Sequence, residues 1–265
     1  MEKIKSNLPE STQKELIKLF GKKTVREIAE QVNLKERSVS HFYMKNNFKL
    51  TKDQKSKLLF RRRSKYDRNN HFFREKSNKS IYWAGFIAAD GYVNKTKLRI
   101  KLKYTDKSHL EKFKNDIEYT GIIRKDCAER LGKTHCGALL YISSREIVED
   151  LKSLYSITER KSLTLRPPSL KESEVDYFIL GYFDGDGTVY QKRQYKCVRF
   201  YGTKWINLWI KERIDHLHGS NSGSIFKKGN IWCFELNPSA SELFIKHYGC
   251  LESPRLNRKW KVKNS

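Results

Sequence analysis

The stretch "YWAGFIAADGYV", Tyr82–Val93, decides how the chain is read. It is an apolar helix that finishes on an acid, although the negative end of a helix dipole favours a base. A second stretch, "FILGYFDGDGTV", Phe178–Val189, has the same design. Asp90-Gly91 in the first becomes Asp186-Gly187 in the second, 96 residues later, which predicts two copies of one structural unit.

On a helix, Gly85 and Ala89 share a face, as do Gly181 and Gly185. Small residues at that spacing let two helix backbones approach closely. Packed along these faces, the helices bring Asp90 and Asp186 together. Two carboxylates at two negative helix ends repel each other, so the arrangement calls for a cation. Oxygen ligands suit Mg²⁺, with Mn²⁺ able to take its place.

The segments around each stretch repeat as well. In "TKLRIKLKY", Leu98, Ile100, Leu102 and Tyr104 alternate with Lys97, Arg99, Lys101 and Lys103. Period two predicts a strand with one buried face. A row of four cations on the other face is explained by a polyanion lying across it. The order that follows is helix, two strands, helix, and the second copy repeats it. Each copy therefore reads as αββαββα, over 80–168 and 169–265, and the fold class is α+β.

Composition agrees with a polyanion partner. The 265 residues hold 55 Lys and Arg against 30 Asp and Glu, a formal charge of +25. No apolar run reaches spanning length and "MEKIKSNLPEST" lacks a signal-peptide core. The expectation is an intracellular protein, cytoplasmic or wherever its target DNA resides, neither secreted nor bound to a membrane. Cys127, Cys136, Cys197, Cys233 and Cys250 have no CxxC spacing and read as reduced, buried or inert thiols. Their spacing from the histidines argues against a zinc site.

Residues 1–50 read as a separate small all-α domain. "TVREIAEQVNLKERSVSHFY", Thr24–Tyr43, predicts helix, tight turn at Asn33, helix. Thr24 caps the first helix with Glu27 as its capping-box partner. The pattern resembles a helix-turn-helix, which would present Lys35, Arg37, Ser38, Ser40 and His41 to DNA. Residues 51–79 read as a basic linker, with Arg61, Arg62 and Arg63 suited to phosphates. Residues 1–79 carry 22 Lys and Arg against 9 Asp and Glu.

The motifs "WAGFIAADG" and "ILGYFDGDG" resemble the paired motifs of LAGLIDADG homing endonucleases in their single-chain form, over residues 80 to about 262. The resemblance implies two pseudo-symmetric αββαββα units whose sheets form a DNA-binding saddle. It implies a monomer that makes a staggered double-strand break at a long, nearly asymmetric duplex site. Asp90 and Asp186 match the metal-binding catalytic acids. Asp184 is matched by Ala88, so that position is not assigned chemistry. Lys161 in "TERKSLTL" and Lys259 in "LNRKWKV", 98 apart, match the basic residues beside each scissile phosphate. Asp106 and Thr203 are weaker candidates for ordering solvent. The implied DNA face adds Arg124, Lys192, Arg199 and Lys227.

The alternative is a non-cleaving nucleic-acid binder on the same fold, an RNA splicing maturase or a transcription regulator; RNA is the partner only there. A transposase would use three acids on an RNase H-like sheet, a poorer fit to two acids on paired helices.

Overall fold

The computed structural model describes residues 7–55, 66–130, 132–192 and 194–260, less the side chains of residues 130 and 133. Arg61, Arg62 and Arg63 lie outside the described residues. The chain divides into two units, Met1–Tyr66 and Asp67–Ser265.

The first unit contains α1 (Glu10–Leu19), α2 (Val25–Gln31) and α3 (Glu36–Lys45). Thr24 accepts from the Glu27 amide and Glu27 accepts from the Thr24 amide at 2.7 Å, the reciprocal cap its spacing predicts. Asn33 takes φ 52° at the turn, a left-handed conformation that asparagine tolerates. Ile28, Ala29, Val39 and Phe42 are buried between the helices. Leu16 and Leu19 of α1 complete this core, and the Tyr43 hydroxyl donates to the Leu16 carbonyl at 2.8 Å. Lys35, Arg37, Ser38 and His41 are exposed, while Ser40 is half-buried.

The second unit begins earlier than its sequence suggests. Residues 67–79, expected as part of the linker, pack into it. Phe72 and Phe73 are buried, the Asn69 amide donates to Ile117, and Arg74 pairs with Asp150 at 2.7 Å. Two adjacent phenylalanines gain too much by leaving water to stay in a tether, about 1.5–3 kcal/mol each.

Two repeats follow. The first is α4 (Asn78–Asp90), β1 (Gly91–Asn94), β2 (Lys97–Lys103), α5 (Lys107–Asp116), β3 (Arg124–Arg130), β4 (Lys133–Ser143), α6 (Arg145–Tyr155) and α7 (Lys161–Thr164). The second is α8 (Glu172–Asp186), β5 (Gly187–Lys192), β6 (Tyr195–Gly202), α9 (Lys204–His218), β7 (Gly223–Lys228), β8 (Ile231–Leu236), α10 (Pro238–Cys250) and α11 (Asn257–Trp260). Each repeat forms one antiparallel sheet, in the orders β1-β2-β4-β3 and β5-β6-β8-β7. Strand β2 alternates strictly, with Leu98, Ile100 and Leu102 buried and the four cations exposed. Tyr104 departs from the expected inward row: it opens a 3₁₀ turn and is exposed.

Helices α4 and α8 lie against each other along their small residues. A Cβ on Gly85 would stand 2.1 Å from the Phe178 carbonyl oxygen, and one on Gly181 1.9 Å from that of Tyr82. Only glycine permits backbone contact this close. Around the pair, Tyr82, Trp83, Phe86, Phe178, Tyr182 and Phe183 are fully buried.

The cysteine expectation is corrected. Cys127 and Cys136 face each other across β3 and β4 and form a disulfide. Their separation of nine residues hides the pairing until the hairpin register is known. Cys197 and Cys233 are buried free thiols and Cys250 is exposed. No helix among the described residues is long and apolar enough to cross a membrane.

Candidate active site and DNA interface

Asp90 is the last residue of α4 and Asp186 the last of α8. The tight packing of these helices brings their carboxyl ends together. Burial pushes the Asp186 carboxyl up to about 6, and Asp90 beside it pushes the same way; Lys161 and Lys259 pull it back. Burial also raises Asp90, against Lys259, Lys161 and Arg258. Asp90 keeps an exposed side at the helix end.

Both lysines reach the same helix ends. Lys161 donates to the Ala89 carbonyl. Lys259 donates to Phe183 at 2.8 Å, Gly185 at 2.8 Å and Gly187 at 2.6 Å. Ala89 and Gly185 are corresponding positions, so each ammonium caps the orphan carbonyls of its own repeat's helix. Burial lowers Lys161, and lowers Lys259 to about 8, with Asp90 and Asp186 opposing both shifts and Asp184 also opposing that of Lys259. The four residues expected to carry chemistry are thus brought into one cluster. A pocket of about 180 Å³ beside it is lined by Lys161, Ser162, Tyr182, Asp186, Tyr201 and Thr203.

Two features of the cluster differ from the sequence expectation. The acids do not lack counter-charge, because the two buried ammonium groups supply it. The lysines are also unequal. An ammonium has three N–H groups. Lys259 commits all three to carbonyls, whereas Lys161 has one acceptor among the described residues.

Asp184 holds the cluster's surroundings together. It is fully buried and accepts from the Tyr82 hydroxyl (2.6 Å), the Leu256 amide (2.6 Å) and the Trp260 indole (2.7 Å). These bonds fasten the segment carrying Lys259 onto both central helices. The same segment crosses to the first repeat, where Arg258 pairs with Asp106 at 3.0 Å and Lys112 donates to the Pro254 carbonyl at 2.8 Å. Asp106 is therefore committed to Arg258. Thr203 caps α9 and donates to Leu165 at 2.7 Å. Neither is a free solvent-ordering group. Sequence spacing gives no sign of Arg258, whose partner lies 152 residues away.

The helices cover one face of each sheet. The other face of the first sheet carries Lys97, Arg99, Lys101 and Lys103, with Arg124 in register beside Lys101 through Leu139. Lys101 pairs with Asp126 at 2.6 Å. Aromatic rings interleave with the cations: Arg99 lies 4.8 Å from the Tyr92 ring centre and Lys97 5.8 Å from that of Tyr141. On the second sheet, Lys192 and Arg199 share the outer face. Lys227 does not. It is opposite Trp232, on the helix-covered side, and Lys228 takes the outer place, 5.6 Å from the Tyr201 ring centre. A one-residue difference in register moves a strand residue to the opposite face, and sequence alone left that register open.

No family model matches the chain and no curated protein matches it significantly. Among solved structures, the homing endonuclease I-WcaI, bound to its DNA recognition sequence, is 14% identical, with 71% of this chain and 90% of that one covered at a TM-score of 0.52. The chain has the LAGLIDADG fold. The N-terminal LAGLIDADG domain of DUF199/WhiA is a more distant likeness, 12% identical over 66% of this chain and 84% of that one, with a TM-score of 0.45. Within the LAGLIDADG fold the motif helices are α4 and α8, and the repeat read from Asp90 and Asp186 is the repeat of the two structural units.

Proposed function

We propose that the chain is a DNA endonuclease that makes a staggered double-strand break at a long, nearly asymmetric duplex site, acting as a monomer. The observation that carries this reading is the convergence of Asp90 and Asp186 at the ends of one helix pair, with Lys161 and Lys259 on the adjoining carbonyls. The likeness to I-WcaI, a homing endonuclease bound to DNA, supports it.

Asp90 and Asp186 would hold Mg²⁺, with Mn²⁺ as a substitute. The donor set fits: both groups are hard oxygen donors, and the repulsion that helps raise Asp186 is what a divalent cation relieves. When bound, the ion polarises the scissile phosphate and stabilises the leaving oxygen. Lys161, with N–H groups to spare, donates to a phosphate oxygen as charge develops there. Lys259 acts through its field, since its N–H groups are engaged. The cations of the first sheet, with Arg124, Lys192, Arg199 and Lys228, lie along the duplex. In the N-terminal unit, Lys35, Arg37, Ser38 and His41 on the exposed side of α3, with half-buried Ser40 beside them, contact flanking DNA.

One observation favours the second reading, a non-cleaving nucleic-acid binder: the lysines already compensate the acids. The two readings part in one experiment. The chain is incubated with Mg²⁺ and a pool of randomised duplexes, and the ends are sequenced beside Asp90→Asn and Asp186→Asn variants. Staggered cuts at one long site, lost in both variants, support the endonuclease. Retention of particular duplexes or RNA without cuts rejects it in favour of a binder.

A further inference from the structure

The two sheets match strand for strand, so their outer faces can be compared position by position. Gly91 pairs with Ile100 in the first, and Gly187 with Phe200 in the second. Arg99 and Arg199 therefore correspond. On the next strand, Arg99 faces Tyr141 whereas Arg199 faces Glu235. The first sheet thus sets its arginine among rings, and the second sets its arginine against a carboxylate.

Glu235 is the hub of that second face. Arg199 gives both Nε and a terminal nitrogen to Oε2 of Glu235, and Lys192 reaches Oε1 at 3.2 Å. The Tyr190 ring packs 4.4 Å from the guanidinium carbon of Arg199. Glu235 is only 16% exposed and Arg199 26%, against 45% and 44% for the Lys101–Asp126 pair on the first sheet. This is an organised, half-buried ion pair in the middle of a surface otherwise suited to phosphates.

Glu235 takes Nε and one terminal nitrogen of Arg199 side-on, so the guanidinium is braced in one orientation and keeps the outward fork of its two terminal nitrogens. A fork fixed this way suits a partner that offers two adjacent acceptors, with a donor beside them for the carboxylate. Guanine offers O6 and N7 to the guanidinium, and its cytosine offers the N4 amino group to a carboxylate. An A·T pair lacks the two adjacent acceptors: beside adenine N7 stands the N6 amino group, a donor that faces the arginine's own N–H groups. Lys192 remains on the other carboxylate oxygen throughout.

We infer that Arg199 and Glu235 together read one G·C pair in the half of the target under the second sheet, with Glu235 the specificity-determining residue. The braced fork disfavours adenine because a donor then stands where guanine presents O6. The inference rests on the proposed DNA-binding function and adds the base pair that this part of the face recognises.

The test is binding selection with the full chain on a randomised duplex library in Ca²⁺, followed by the same selection with Glu235→Gln and Glu235→Tyr. The tyrosine variant copies the first sheet. Thermal melts show that both variants fold. Wild type is expected to select G·C at one position in the half-site under the second sheet, at least about tenfold over A·T. Both variants lose that preference at that position, keep the preferences elsewhere, and bind unselected duplex more tightly at low salt, with a steeper salt dependence. A folded variant with the wild-type preference at every position overturns the assignment of Glu235. So does a change confined to a position that wild type reads as A·T. If wild type enriches no duplex, the DNA-binding function falls and this assignment with it; the former outcomes leave the function standing.

Discussion

Lys259 holds in the second repeat the place that Lys161 holds in the first: each sends its ammonium into the carbonyl end of its own motif helix. The likeness ends at the hydrogen bonds. Lys259 satisfies three carbonyls and Lys161 one. The two should therefore fail differently when replaced.

Lys161→Met is expected to cut single-turnover cleavage by about 10²–10³-fold, the loss seen for one donor to a developing oxyanion. Its stability should fall less than that of Lys259→Met, since one carbonyl loses a donor rather than three. Lys259→Met takes a donor from three carbonyls, though that of Phe183 keeps the Gly187 amide. It should lose on the order of 1–3 kcal/mol in urea unfolding as well as activity. Equal stability losses in the two variants would refute the distinction.

The acids and lysines set a pH window. Asp186 is raised from 3.8 to about 6, so the folded protein holds the extra proton between these values, and metal-free stability falls as pH rises through them. Lys259 is lowered from 10.5 to about 8, so stability returns only as pH rises from about 8 toward 10.5. Between about 6 and 8 both groups are charged and both costs are in force. Melts in EDTA should show Asp186→Asn more stable than wild type at pH 7, by about 1–3 kcal/mol, with the difference vanishing near pH 4. Cleavage should rise through the acid limb, and added Mg²⁺ should move that limb lower. An acid limb unmoved by metal would remove Asp186 from the ion's coordination.

Gly181→Ala should destabilise the second unit by about 3 kcal/mol or more, because its methyl meets a backbone oxygen that cannot move aside. Gly185→Ala meets the Ala89 side chain instead and should cost less. Denaturant titration of both variants checks the order.

Trp260→Phe keeps the ring and removes one donor from buried Asp184. A loss of about 1–3 kcal/mol is expected. Cleavage should fall too, because the segment that loosens carries Lys259. Unchanged cleavage in the folded variant would show that Lys259 is positioned independently of Asp184.

Much of this was legible in the sequence, for a physical reason. Helix packing needs small residues at fixed spacing, so Gly85, Ala89, Gly181 and Gly185 announce the central pair. Strict alternation over Lys97–Lys103 announces β2, because side chains on a strand point to opposite faces. What was hidden depends on register or long-range pairing. Lys227 and Lys228 are indistinguishable until β7 is aligned on β8. Cys127 and Cys136 look like spare thiols until they lie opposite each other. Asp184, discounted because its counterpart is Ala88, is the most connected buried acid beside the candidate site. Its partners come from the other repeat and the distant Leu256–Trp260 segment, which no local pattern reveals.

The packing of Gly85 on the Phe178 backbone and of Gly181 on that of Tyr82 makes the molecule a gauge. Two helices touching backbone to backbone have no side-chain cushion to slide or rock on, so the two repeats keep one separation. On the proposed function, that separation fixes the distance between the two phosphates attacked, and hence how many unpaired nucleotides each broken end carries. Overhang length would then belong to a pair of missing methyl groups, and would stay constant however the reading faces of the sheets are altered to recognise a different duplex.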